Sequence, residues 1–147
     1  MIITIPGKPL GKQRARTLKS GRSYTPGQTV NYETLVRMCY VDQKGAIFGE
    51  QQLKMEVVAY YSIPKSLSKK KEYLMLSREI RPTKKPDLDN IVKLIADSLN
   101  GIAYHDDSQI VELVAHKLYS LIPRVDVSTE LPCASYRPEG KGECQNG

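Results

Sequence analysis

The residues best equipped for chemistry lie between Lys84 and Gln109, in the segment KKPDLDNIVKLIADSLNGIAYHDDSQ. Asp87 and Asp89 flank a single leucine, Lys93 follows one helical turn after Asp89, and a second acidic pair, Asp106-Asp107, closes the segment. Lys84 and Lys85 stand at its entrance. In an extended backbone, residues two apart point to the same side, so Asp87 and Asp89 can present their carboxylates together. If Asp89 opens a helix, unsatisfied backbone N–H groups lie beside it. Lys93 then shares its helical face, where an ammonium can pair with a carboxylate, meet a phosphate oxygen or position a water.

Several Asp, no Cys and few His make a donor set suited to a hard cation. Mg²⁺ takes one or two carboxylates and completes an octahedron with waters and phosphate oxygens, whereas zinc selects Cys and His. The reaction such a site implies is phosphodiester hydrolysis, with the ion polarising the phosphate and activating water. The same residues also have structural uses. Asp87 or Asp89 can be an N-cap, Lys93 can pair with Asp97 at i+4, and Asp106-Asp107 can simply make a turn. Spacing alone leaves both readings open. A calcium loop is excluded, because Ile91 and Val92 occupy positions that need a ligand and a glycine. A Walker-type phosphate loop is absent, which lowers the case for a phosphotransferase acting on a small nucleotide. His105 reads as a turn residue, His116 as core or sheet surface, and Asp97 as a structural hydrogen-bonding group.

Charge points to the partner. The chain of 147 residues carries a net +6. Residues 1–32 hold Lys8, Lys12, Arg14, Arg16, Lys19 and Arg22 with no acid, and residues 65–86 hold eight basic side chains against two acidic ones. Clustered cations favour a polyanion, since neutralising phosphates releases condensed counterions. They also serve as solubilising surface. Three cysteines at wide, irregular spacing support neither a disulfide framework nor a zinc site, so a reducing cytoplasm is expected. No apolar run is long enough to span a membrane, and the N-terminus does not read as a signal peptide.

The elements that must position these groups follow from periodicity. Ile2, Ile3 and Ile5 form a strand that enters the basic loop PGKPLGKQRAR. Lys19–Arg22 is a tight turn with Gly21 at positive φ. Thr25-Pro26 starts a helix with a Val30, Leu35, Val36, Cys39 stripe, ended by Gly45. Residues 53–63 make a central strand. A short basic helix runs from Ser66 to about Leu76, packing through Tyr73, Leu74 and Leu76. The next helix buries Ile91, Leu94, Ile95, Ser98 and Leu99, the clearest 3.6-residue pattern in the chain. QIVELVAHKLYSLI is a long strand, and a last one places Val125, Val127, Thr129 and Leu131 on one side. The class expected is α+β, a single mixed sheet with helices packed on it. Residues 1–131 form the domain and 132–147 a polar tail.

The ordered set Asp87-Leu-Asp89-Asn90-x-x-Lys93, Asp97-Ser-Leu-Asn and Asp106-Asp107-x-Gln109-Ile resembles the RusA family of Holliday-junction resolvases, small endodeoxyribonucleases of bacteria and their phages. PGKPLGKQRAR and GRSYTP are similar to the opening of many members, so the likeness covers roughly residues 1–120. It implies a homodimer that binds four-way DNA junctions and cuts two strands symmetrically with Mg²⁺. By position it makes Asp87, Asp89 and Asp107 the metal-binding carboxylates and Lys93 the catalytic lysine, with Asp106 and Asn90 in support. Phosphate contacts are expected from Lys8, Lys12, Arg14, Arg16, Lys69, Lys70, Lys71, Lys84 and Lys85. A non-catalytic basic DNA-binding module is the competing reading, with the acids as caps and turns. The residues from Asp126 to Gly147 and the lack of tryptophan depart from the family pattern.

Overall fold

Alternation of β-branched and aromatic side chains makes LKMEVVAYYS the strand β4 (Leu53–Ser62), and its burial alternates perfectly, with Leu53, Met55, Val57, Ala59 and Tyr61 inside. It is central, as expected. The computed structural model describes residues 1–13, 16–24 and 27–133, with the Arg16 and Tyr24 side chains outside that description. Around β4 the sheet order is β1-β6-β4-β5, with β1 (Ile2–Pro6), β5 (Ile110–Ser120) and β6 (Arg124–Glu130). β6 pairs antiparallel with both β1 and β4, while β5 runs parallel to β4. A parallel neighbour needs a crossover, and this one carries α2 (Lys69–Leu76) and α3 (Leu88–Ser98). The mixed sheet with helices is the α+β architecture the sequence implies. A separate two-stranded ribbon, β2 (Arg16–Thr17) with β3 (Ser23–Tyr24), turns through Gly21 at φ +83°.

One face of the sheet carries the core. Ile3, Ile5, Val125 and Val127 join the buried side of β4 and pack with Ile91, Leu94, Ile95 and Leu99 of α3 and with α1 (Gly27–Asp42). The stripe of α1 differs from the expected one. Thr29, Tyr32, Val36 and Tyr40 face inward and Val30 is exposed. Its tyrosines were the missing apolar positions: their rings are buried although their hydroxyls score as polar. The expected start at Thr25-Pro26 lies outside the described residues. At the other end Lys44, not Gly45, takes the left-handed conformation (φ 56°). Gly45 is needed because a Cβ there would sit on the Tyr40 ring. Past the helix, Gln43 reaches the edge strand β1, accepting from Thr4 N at 2.9 Å and donating to Thr4 O at 2.7 Å.

The other face bears α2 against β5 and no other helix among the described residues. Arg78, just past α2, lines a groove there with Val58, Tyr60, His116 and Asp126. In α2 the buried residue is Met75, whereas Tyr73 and Leu76 are exposed, which corrects the expected packing face. An eight-residue helix offers too short a stripe to fix its rotation from sequence. On β6 the expected inward set holds for Val125 and Val127 but Leu131 lies past the strand and is exposed. Of the tail expected over 132–147, only Pro132 and Cys133 fall within the described residues.

Candidate active site

Helix α3 organises the site. Its apolar face is fixed against the sheet by Ile91, Leu94, Ile95 and Leu99, all fully buried, so its rotation is not free. Asp89, Lys93 and Asp97 therefore share the side turned away from the core. Asp87 occupies the N-cap with an extended backbone (φ −67°, ψ 146°), yet its side chain makes no capping hydrogen bond. An aspartate used only as a cap would spend its carboxylate on the N–H groups of the first turn. Here that carboxylate stays available.

Asp106 behaves differently. It caps the 3-10 turn Asp107–Gln109, accepting from Ser108 N at 3.2 Å, and those Ser108 hydrogen bonds hold its carboxyl below the usual range. Gln109 locks the same turn. Its Oε1 accepts from the backbone N–H of His105 and Asp106 at 2.9 and 3.0 Å, and its Nε2 donates to the carbonyls of Gly49 and Gln51 at 2.8 and 2.9 Å. The turn is thereby tied to the loop before β4, and Asp107 is held toward α3.

Asp89, Lys93 and Asp107 line one groove of about 530 Å³ whose floor is Leu88, Val92, Ala96, Ile110, Leu113 and Ala115. Asp87 and Asn90 line a second, of about 590 Å³, with Lys8, Lys12, Gln13 and Lys85. Among the described residues no three acidic, His or Cys side chains gather into one metal-sized cluster. Asp107 lies close enough to Asp97 and Asp106 to feel both charges. Partial burial, then the charges of Asp97 and Asp106 and the Asp97 hydrogen bond, raise the Asp107 carboxyl above its ordinary value, with Lys93 pulling the other way.

Asp97 is the hub that sequence reasoning set aside as structural. Its Oδ1 is 3.3 Å from Lys93 Nζ and its Oδ2 3.3 Å from Lys12 Nζ. Lys12 in turn meets Glu33 of α1 at 2.7 Å. Burial alone would lower the Lys12 pKa, but the bonds to Glu33 and Asp97 outweigh it and raise the value. The i+4 spacing of Lys93 and Asp97 was visible in the sequence. Lys12 and Glu33 were not, because the fold brings them from other elements. The N-terminal loop itself docks on α3: Lys12 N donates to Asn90 O at 2.9 Å, and Gly11 lies so close to Pro86 and Asn90 that a Cβ would stand 2.9 and 3.0 Å from theirs.

The expected phosphate contacts fall in two places. Lys8, Lys12 and Lys85 border the Asp87 groove, while Lys69, Lys70 and Lys71 begin α2 on the other side of the sheet. Lys84 stacks 5.9 and 6.0 Å from the ring centres of Tyr61 and Tyr119. Arg14 and the side chain of Arg16 lie outside the described residues.

A loop of basic residues docked on a helix whose outer face bears the ordered acids and lysine matches the family model "Endodeoxyribonuclease RusA" over residues 6–130. The chain belongs to the RusA family. A relative is the "Uncharacterized protein YqaN" of Bacillus subtilis (strain 168), 35% identical over 129 residues that cover 84% of this chain and 91% of that protein. In this RusA-family chain no helix among the described residues is long and apolar enough to cross a membrane. The donor set fits the divalent ion the family implies. Among the side chains that border the acid groove the metal donors are the carboxylates of Asp89 and Asp107, and Asp107 is crowded by like charge, which a cation would relieve.

Proposed function

We propose that this chain is an Mg²⁺-dependent, structure-selective endodeoxyribonuclease that resolves four-way DNA junctions by paired, symmetric phosphodiester hydrolysis. The observation that carries the reading is the common groove of Asp89, Lys93 and Asp107, placed within a chain of the RusA family. Asp89 and Asp107 would hold the ion, with Asp87 contributing from the start of α3. Bound there, it would supply Lewis-acid polarisation of the phosphate and an activated water. The chain's own residues do the rest. Lys93, largely exposed and 3.3 Å from Asp97, offers its ammonium to a phosphate oxygen as negative charge builds. Asp97 aims that ammonium and, through Lys12, ties the N-terminal loop to the same point. Asn90 borders the second groove beside Asp87, where Lys8 and Lys85 offer charge to the flanking phosphates.

A junction presents two equivalent strands related by a two-fold axis, so a two-fold homodimer places one site on each. The test is cleavage of a synthetic mobile junction with Mg²⁺ or with chelator. Wild type should cut the junction in preference to linear duplex and only with the ion. Asp107→Asn should lose cutting by more than about 100-fold while still binding the junction. A second reading, a non-catalytic DNA-binding module, draws on the lack of a three-acid cluster among the described residues. It requires salt-sensitive binding with no cleavage under any divalent metal.

A further inference from the structure

The segment that delivers Asp87 is irregular from the end of α2 to the start of α3, and the Asp87 side chain makes no bond of its own to the helix. Its backbone is held from the sheet instead. Lys117 and Tyr119 lie near the end of β5 on the face that carries α3, in register with Ala59 and Tyr61 of β4. Lys117 Nζ donates to the carbonyl of Lys84 at 2.7 Å. The Tyr61 hydroxyl donates to the carbonyl of Pro86 at 2.8 Å. These two carbonyls bracket Lys85 and run straight into Asp87. The Lys117 ammonium also sits 5.2 Å from the centre of the Tyr61 ring, so the two anchors brace each other. Among the described residues Lys117 has no carboxylate partner. Its charge is spent on a carbonyl and a ring.

We propose that Lys117, acting with Tyr61, is a positioning residue that clamps the Lys84–Pro86 backbone onto the sheet and so sets where the Asp87 carboxylate stands. A charged donor on a carbonyl is worth more than a neutral one, and catalytic geometry is sensitive to displacements of about 1 Å. The role in cutting rests on the nuclease reading above. The clamp itself does not.

Hydrogen exchange on the metal-free protein tests the clamp directly. Lys117→Met keeps the aliphatic stem and removes the donor. The amides of Ile91 and Lys12, which donate to the carbonyls of Asp87 and Asn90, should exchange about tenfold faster or more, the factor expected for losing one hydrogen bond from a charged donor, with α1 unaffected. Tyr61→Phe, which keeps the buried ring, should act on the same amides, and Lys117→Arg should restore protection. With Mg²⁺ and junction, Lys117→Met should lower turnover about 10–100-fold at saturating DNA, with affinity and its salt dependence unchanged. The double variant should fall no further than the worse single one, since both act on one segment. Unchanged exchange around Asp87 overturns the proposal. So does a loss of affinity with a shallower salt slope, which makes Lys117 a phosphate contact. A wild type that cuts nothing overturns the nuclease reading, and the exchange comparison still decides the clamp.

Discussion

A carboxylate with an ammonium on each oxygen and a second carboxylate beside it has a specific task. Asp97 balances Lys93 and Lys12 and crowds Asp107. Asp97→Asn preserves shape and removes the charge. Lys93 is mostly exposed, so its lost ion pair should cost little stability in screening solvent, and the more buried Lys12 keeps Glu33 as a partner. The Asp107 carboxyl is raised in the folded chain, so its protonation favours the fold, and that contribution is present at low pH and lost as pH rises through the folded value. Removing the neighbouring charge should lower the Asp107 pKa toward the ordinary range and relieve that penalty near neutrality. The expected outcome is a small change in thermal midpoint beside a turnover lower by about 10–100-fold. Carbon-detected titration of Asp107 in the metal-free protein checks the pKa direction, and a junction-cleavage assay checks the rate.

At the scale of elements, legibility followed how each element gets its stability. α3 was readable because a single unbroken apolar face, Ile91 to Leu99, meets the sheet, and the face left over carries Asp89, Lys93 and Asp97. Both α1 and α2 were expected, but the packing face of α1 was misread because Tyr32 and Tyr40 join Val36 in it, and that of α2 because Met75 alone is buried in a two-turn helix. The site was half legible. Local spacing placed Asp89 and Lys93, but only the fold brings Lys12, Glu33 and Lys117 to it across long stretches of chain. Gly11 is such a long-range requirement, since it lets the basic loop lie on Pro86 and Asn90. Gly11→Ala forces a Cβ against two others that cannot swing away. The loop should lift, the Lys12–Asp97 pair should open, and cutting should fall more than junction binding. Overall stability should drop by only about 1–3 kcal/mol, the range for a tight contact that is overfilled. Chemical denaturation and cleavage rates on one preparation separate the two effects.

At the scale of the molecule, the 22 Lys and Arg side chains overstate the cations free to meet DNA. Lys12 is committed to Glu33 and Asp97, Lys54 sits 3.8 Å from Glu130, and Arg124 lies 3.4 Å from Asp126 and stacks 3.9 Å from the Tyr60 ring centre. Lys8 and Lys85 have no acidic partner among the described residues and border the groove of Asp87. Lys69, Lys70 and Lys71 are exposed on α2, across the sheet from the acids. Each phosphate contact on duplex arms adds about 0.9 to the slope of log affinity against log salt. Replacing Lys8 and Lys85 by alanine should therefore reduce the slope by about 2 and also lower turnover at saturating junction, because these side chains place the strand beside the acids. The triple change at Lys69, Lys70 and Lys71 should reduce affinity and slope and leave saturated turnover intact. Lys54→Ala should move neither. Binding titrations across a salt series, paired with single-turnover cleavage, give the three patterns. Equal loss of turnover from the α2 triple would place that helix against the cut strand and remove the division of labour between the two faces of the sheet.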